Sequence, residues 1–143
     1  MTDLVDELHA QAGLSLLRAG GEITVYDGQV APAPEPGLGP ALPFVLVYVT
    51  VKWPGDGTAN AIDAQAVTVN VEFNCHCVGE TAAAARAMQM QVRARLLNQR
   101  PVVTGRNCGL IQQDEVQAPL KDEATGRLVM DGVSIYSFIS APG

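Results

Sequence analysis

Hydrophobic and polar residues recur along this chain with two different periods, and the changes of period predict its elements. From residue 3 to 19 the period is helical: Val5, Leu8, Ala12 and Leu16 form one apolar stripe. Thr2 is placed to cap the first amides. Asp3, Asp6 and Glu7 sit near the positive end of the helix dipole, and Gly20-Gly21 supplies a stop. A short strand is predicted at 23–26. Phe44 to Lys52 is apolar on both faces, as a central strand would be. Residues 66–77 alternate strictly, with Val67, Val69, Val71, Phe73, Cys75 and Cys77 on one side and Thr68, Asn70, Glu72, Asn74 and His76 on the other. Gly79-Glu80-Thr81 then leads into a helix over about 80–99, whose apolar face is Ala85, Met88, Val92 and Leu96 and which Pro101 cannot continue. Two further strands are predicted at 107–118 and 128–139, joined by a hairpin tip at 121–127 in which Gly126 can take positive φ.

Between these elements lie segments of another character. Residues 28–43 carry Pro32, Pro34, Pro36, Pro40 and Pro43 with three glycines, which predicts a long irregular arm or loop. Trp53-Pro54-Gly55-Asp56-Gly57 opens a second loop, to about residue 64. With no internal repeat, the chain reads as a single domain over 1–143. The predicted class is α+β: a mostly antiparallel sheet with the N-terminal helix and the 80–99 helix packed on one face, and long loops.

Composition narrows the function classes. The 143 residues are 48% hydrophobic and 17% charged, which excludes an intrinsically disordered chain. The net charge of −6 disfavours wrapping of nucleic acid, whose affinity comes from many Lys and Arg contacts to phosphate. No apolar run approaches the ~20 residues of a membrane-spanning helix. Met1-Thr2-Asp3 starts no signal pattern, so the expectation is an intracellular protein with reduced cysteines.

Candidate chemistry is sparse. Cys75-His76-Cys77 with Cys108 suggests a metal or redox site, but on a strand Cys75 and Cys77 face one way and His76 the other. The plainer reading makes both cysteines small core residues. Neither His9 nor His76 has a catalytic signature around it, and the chain lacks GxSxG, HExxH, GxGxxG and GxxxxGK[ST]. The acidic pairs Asp114-Glu115 and Asp122-Glu123 fall at strand ends or turns, where solvated charges are usual. No catalytic residue, metal or cofactor is predicted.

Charge distribution says more. Residues 86–106 carry Arg86, Arg93, Arg95, Arg100 and Arg106 with no acid, whereas residues 1–80 carry ten acids against Arg18 and Lys52. A basic face of one copy meeting an acidic face of the next is a head-to-tail contact, which closes into a ring when the rotation fits. An ordinary solvated helix face is the plainer alternative. The candidate interface residues are those five arginines with Trp53, Asp122 and Glu123. Trp53, the one tryptophan, is read as a lid on the core edge or as an interface anchor.

The stretch Val67 to Cys77, then Gly79-Glu80-Thr81, the helix Ala82 to Leu97, Arg106 to Ile111, and the hairpin ending Gly132-Val133-Ser134-Ile135-Tyr136-Ser137-Phe138, resembles the tail terminator proteins of long-tailed bacteriophages. The resemblance covers nearly the whole chain and is strongest over 66–139. It implies a small α+β virion protein, assembled in the host cytoplasm, that forms a hexameric ring on the last ring of the tail tube. Such a ring halts tube polymerisation, meets the head–tail connector or stopper protein, and lets genomic DNA pass through its lumen without specific binding; no membrane is involved. The proline-rich arm at 28–43 departs from many such proteins, which leaves its contact with tube, connector or neighbouring subunit open. A head-side stopper or another tube-capping ring stays as an alternative, and so does a small metal- or redox-active protein using Cys75, Cys77, Cys108 and His76.

Overall fold

The structure, a computed structural model, describes residues 2–29, 42–54, 67–123 and 128–143. Its elements run α1 (Thr2–Arg18), β1 (Val25–Asp27), β2 (Phe44–Lys52), β3 (Val69–Gly79), α2 (Ala82–Leu96), β4 (Arg106–Cys108), β5 (Gln112–Val116), β6 (Leu120–Asp122) and β7 (Val129–Pro142). The fold is α+β, as the pattern predicts. Most of the 28–43 arm, most of the 53–64 loop and the tip of the 121–127 hairpin lie outside the described residues.

The sheet is built around its two longest strands. β3 pairs antiparallel with β2 on one side and with β7 on the other, so that Phe73 lies between Val49 and Tyr136. β1 adds to β2 in parallel, and the remaining ladders are antiparallel. The far edge of β7 is covered end to end by three short strands: β4 sets Cys108 opposite Ser140, β5 sets Gln112 opposite Ser137, and β6 sets Leu120 opposite Asp131.

Those three pieces correct the continuous strand predicted at 107–118. The chain leaves β7 after Gly109, whose amide still donates to the Ile139 carbonyl, and Ile111 exchanges backbone hydrogen bonds with Asn98 and Gln99 instead. It bulges between Gln113 and Glu115, and Pro119 then lacks the amide that would join β5 to β6. The same detour ends α2 early, at Leu96 rather than near 99. Asn98 adopts φ 62°, a left-handed turn that asparagine tolerates, and gives its amide to Ile111. At the other end of α2 the Thr81 hydroxyl accepts from the Ala84 amide at 3.1 Å.

Both helices pack on one face of the sheet. Val45, Val47, Val71, Phe73, Cys75, Cys77, Tyr136 and Phe138 point into that layer, and Leu14, Leu17, Met88, Val92 and Leu96 meet them. Phe73 and Phe138 stack with centroids 5.8 Å apart. Each fully buried large apolar side chain contributes on the order of 1.5–3 kcal/mol, so this layer dominates the favourable side of folding.

α2 buries Ala85, Met88, Val92 and Leu96, as its periodicity predicts. In α1 the stripe is rotated. Val5, His9, Gly13, Leu14 and Leu17 are buried, whereas Leu8 is 39% exposed and Ala12 and Leu16 are only half-buried. Gly13 explains the shift: a Cβ there would stand 2.2 Å from Phe73 Cζ, so the missing side chain is the slot that admits the ring.

Candidate functional site

The five arginines of 86–106 do not form one surface. Arg106 is buried on β4, where Nε donates to Ser140 Oγ at 2.9 Å and Nη2 donates to the carbonyls of Val67 (2.6 Å) and Ser140 (2.8 Å). Arg95 reaches across to α1 and donates through Nη1 to the carbonyls of Leu17, at 2.8 Å, and Ala19. It thereby satisfies acceptors at the negative end of that helix. Arg100 Nη1 donates to the Cys108 carbonyl at 2.5 Å, tying the turn after α2 to β4. Only Arg86 and Arg93 stand fully on the outer face of α2.

Ser140 is the centre of a buried polar cluster that sequence reasoning missed. His9, wholly buried, sits with Nδ1 2.7 Å from the Val5 carbonyl and Nε2 2.7 Å from Ser140 Oγ. A carbonyl only accepts, so Nδ1 carries the proton; in the neutral ring Nε2 then accepts from the serine hydroxyl. Burial pulls the His9 pKa down and the nearby Arg106 charge adds to this, against the Val5 carbonyl, which pulls the other way. The cluster pins the middle of α1 to β4 and to the end of β7 and is structural in character.

The cysteines divide likewise. Cys75 and Cys77 are buried on the inner face of β3, and burial raises both thiols, Cys77 to about 12. Cys108 lies opposite Ser140, six residues along β7 from Ser134, the partner of Cys75. That offset alone is ~20 Å, against the ~7 Å Cα separation a disulfide tolerates. His76 is on the opposite face, as alternation requires. Its Nδ1 is 2.9 Å from Asp131 Oδ2, and Tyr48 meets its ring edge-on with centroids 5.6 Å apart. The bond to Asp131 raises the His76 pKa, more than burial lowers it. Cys75, His76, Cys77 and Cys108 therefore do not converge. Among the described residues no group of three or more His, Cys, Asp or Glu side chains is placed to hold a metal ion, and no helix is long and apolar enough to cross a membrane.

The remaining predicted interface residues scatter. Trp53 is half-buried against the core edge, and its Nε1 donates to Asp6 Oδ1 at 3.1 Å, so within this chain it bridges the end of β2 to α1. Asp122 closes β6 opposite Val129, and exposed Glu123 stands 3.6 Å from Lys121.

Two surface features have the shape of contact sites. On α2, Met90 is 60% exposed, with Arg86 one turn before it and Arg93 one turn after. Beside α1, a groove of about 250 Å³ runs between Asp6, Glu7 and Ala10 on the helix and Val49 and Val51 on β2. The spacing of Arg86, Met90 and Arg93 is legible in the sequence. The groove is not, because it needs α1 laid across β2.

No protein-family model matches the sequence, and no curated protein matches it. The fold does have solved counterparts. One is a chain in the structure of the virion of a native gene transfer agent particle, with a TM-score of 0.66 at 17% sequence identity. The match covers 96% of this chain and 98% of that one. At that identity the likeness establishes a shared fold.

Proposed function

We propose that this chain is a structural protein of a phage-like virion, a tail terminator that forms a ring at the head-proximal end of the tail tube. The observation that carries the reading is the near end-to-end match in fold to a chain of the gene transfer agent virion: 96% of one chain on 98% of the other leaves little of either unaccounted for. In this role the chain stops tube polymerisation, meets the tail-tube protein on one side and the connector or stopper on the other, and encircles the genome. A net charge of −6 suits a ring through which DNA must pass, since like charge disfavours adhesion to the duplex. The role is non-enzymatic. The buried thiols, and the opposite orientations of Cys75 and His76, give the metal or redox alternative no support from geometry.

The test is negative-stain imaging of the protein alone and mixed with tail tubes. Rings, or caps on one end of tubes of uniform length, support the reading. A protein that ignores tubes and instead binds head connectors would replace it with the stopper role. A protein that binds neither and is absent from purified particles would overturn the virion role.

A further inference from the structure

We infer that the exposed face of α2 on one copy docks into the groove between α1 and β2 on the next. Met90 is the apolar knob, and Arg86 and Arg93 pair with the acidic rim of the groove. The inference deepens the ring reading and rests on it.

The knob is unusual for a solvated helix. Met90 leaves 60% of its surface in water at the middle of α2. Arg86, four residues earlier, and Arg93, three later, share its face and are both exposed. The neighbouring Ala87 and Ala94 are exposed as well, so a partner can approach the backbone closely. Methionine is unbranched and polarizable, so it adapts its shape to a partner surface.

The groove is complementary in both respects. Half-buried Val49 and Val51 line it on the strand side, where β1 no longer covers β2, because β1 pairs only with residues 45–47. Asp6 and Glu7 stand on its rim and Glu7 is exposed. Cationic flanks around an apolar knob thus face acidic flanks around an apolar floor.

Knob and groove share no residue. α1 packs over β1 and β2, and α2 over β3 and β7. In the ring reading the contact between them is heterologous, each copy using its knob on one neighbour and its groove on the other, which generates a closed ring or a filament.

Two charge-reversed chains test this. Chain one carries Arg86→Glu and Arg93→Glu; chain two carries Glu7→Arg. All three positions are exposed, so both chains should fold, and circular dichroism checks that. Chain one alone sets an acidic knob against an acidic rim, chain two alone sets a basic knob against a rim whose net charge is cancelled, and each should lose ring formation on tail tubes. Mixed in equal amounts they should restore it, because in an alternating ring the basic knob of chain two meets the unaltered acidic rim of chain one, and the acidic knob of chain one meets the rim altered by Glu7→Arg. A third chain, Glu7→Cys with Met90→Cys, should give a reducible ladder of covalent oligomers on tubes under mild oxidation, while either single substitution should give none. The buried native thiols do not compete.

Rings that form on tubes with no ladder, or that survive both reversals, overturn the interface and leave the ring reading standing. A covalent dimer from Met90→Cys alone reveals a two-fold contact and also overturns it. If the unmodified chain forms no ring even on tubes, the ring reading fails and this inference falls with it.

Discussion

Replacing Ser140 by alanine should be among the most damaging single-atom deletions in the molecule. The hydroxyl lies 2.7 Å from His9 Nε2 and 2.9 Å from Arg106 Nε, and all three residues are buried. Ser140→Ala leaves the Nε2 acceptor of a neutral imidazole without a partner, a penalty of about 1–3 kcal/mol. It also removes one bond to a charged donor, worth about 1.5–3 kcal/mol. The guanidinium keeps the Val67 and Ser140 carbonyls, so its loss belongs at the low end. The expected cost is about 2–4 kcal/mol. At a urea m-value of roughly 2 kcal/mol/M, within the usual range for small proteins, the midpoint should fall by about 1–2 M. The assay is urea denaturation followed by circular dichroism. The variant is paired with His9→Leu and with the double substitution, because removing both partners of a buried hydrogen bond costs less than orphaning one. A Ser140→Ala loss below about 0.5 kcal/mol, or additive losses in the double variant, would refute the claim that this hydroxyl holds α1 to the sheet.

Three further outcomes follow from the structure. Gly13→Ala should destabilise by about 1–3 kcal/mol despite the better helix propensity of alanine, because the new Cβ would meet Phe73 at 2.2 Å; thermal melts should show partial recovery when Phe73→Leu is added. His76, whose ordinary pKa is 6.5, is raised by Asp131, so the stability from this pair is fully present below about pH 6.5 and is lost as pH rises through the folded value. Urea midpoints measured from pH 5.5 to 9 should show that decline, and Asp131→Asn should flatten it. The thiols of Cys75 and Cys77, raised by burial, and the buried Cys108 should resist an aromatic disulfide reagent at pH 8 in the native chain and react only after denaturation.

Sequence alone determined what depends on near neighbours. Strict alternation from Val69 to Cys77 set the two faces of β3, since a strand has no other way to sort polar from apolar residues. Thr81 and the Ala85, Met88, Val92 and Leu96 row placed α2 and its buried face. These patterns were sufficient for the α+β class.

Residue type predicts the burial of Cys75 and Cys77 correctly, but it misleads in α1 and among the arginines, where distant partners decide. His9 and Gly13 were passed over in the buried stripe of α1 because one is polar and the other has no side chain. Tertiary packing buries both, by giving His9 the Ser140 hydroxyl from 131 residues away and by filling the space at Gly13 with Phe73. The arginines of 86–106 counted as one basic patch in sequence. The fold spends Arg95, Arg100 and Arg106 on backbone carbonyls and leaves Arg86 and Arg93 outward, because exposure follows from which face of α2 meets the sheet. Hydrophobic period is a local property that the chain carries wherever it goes. Burial of a charge, and the groove beside α1, exist only once segments far apart in sequence have met.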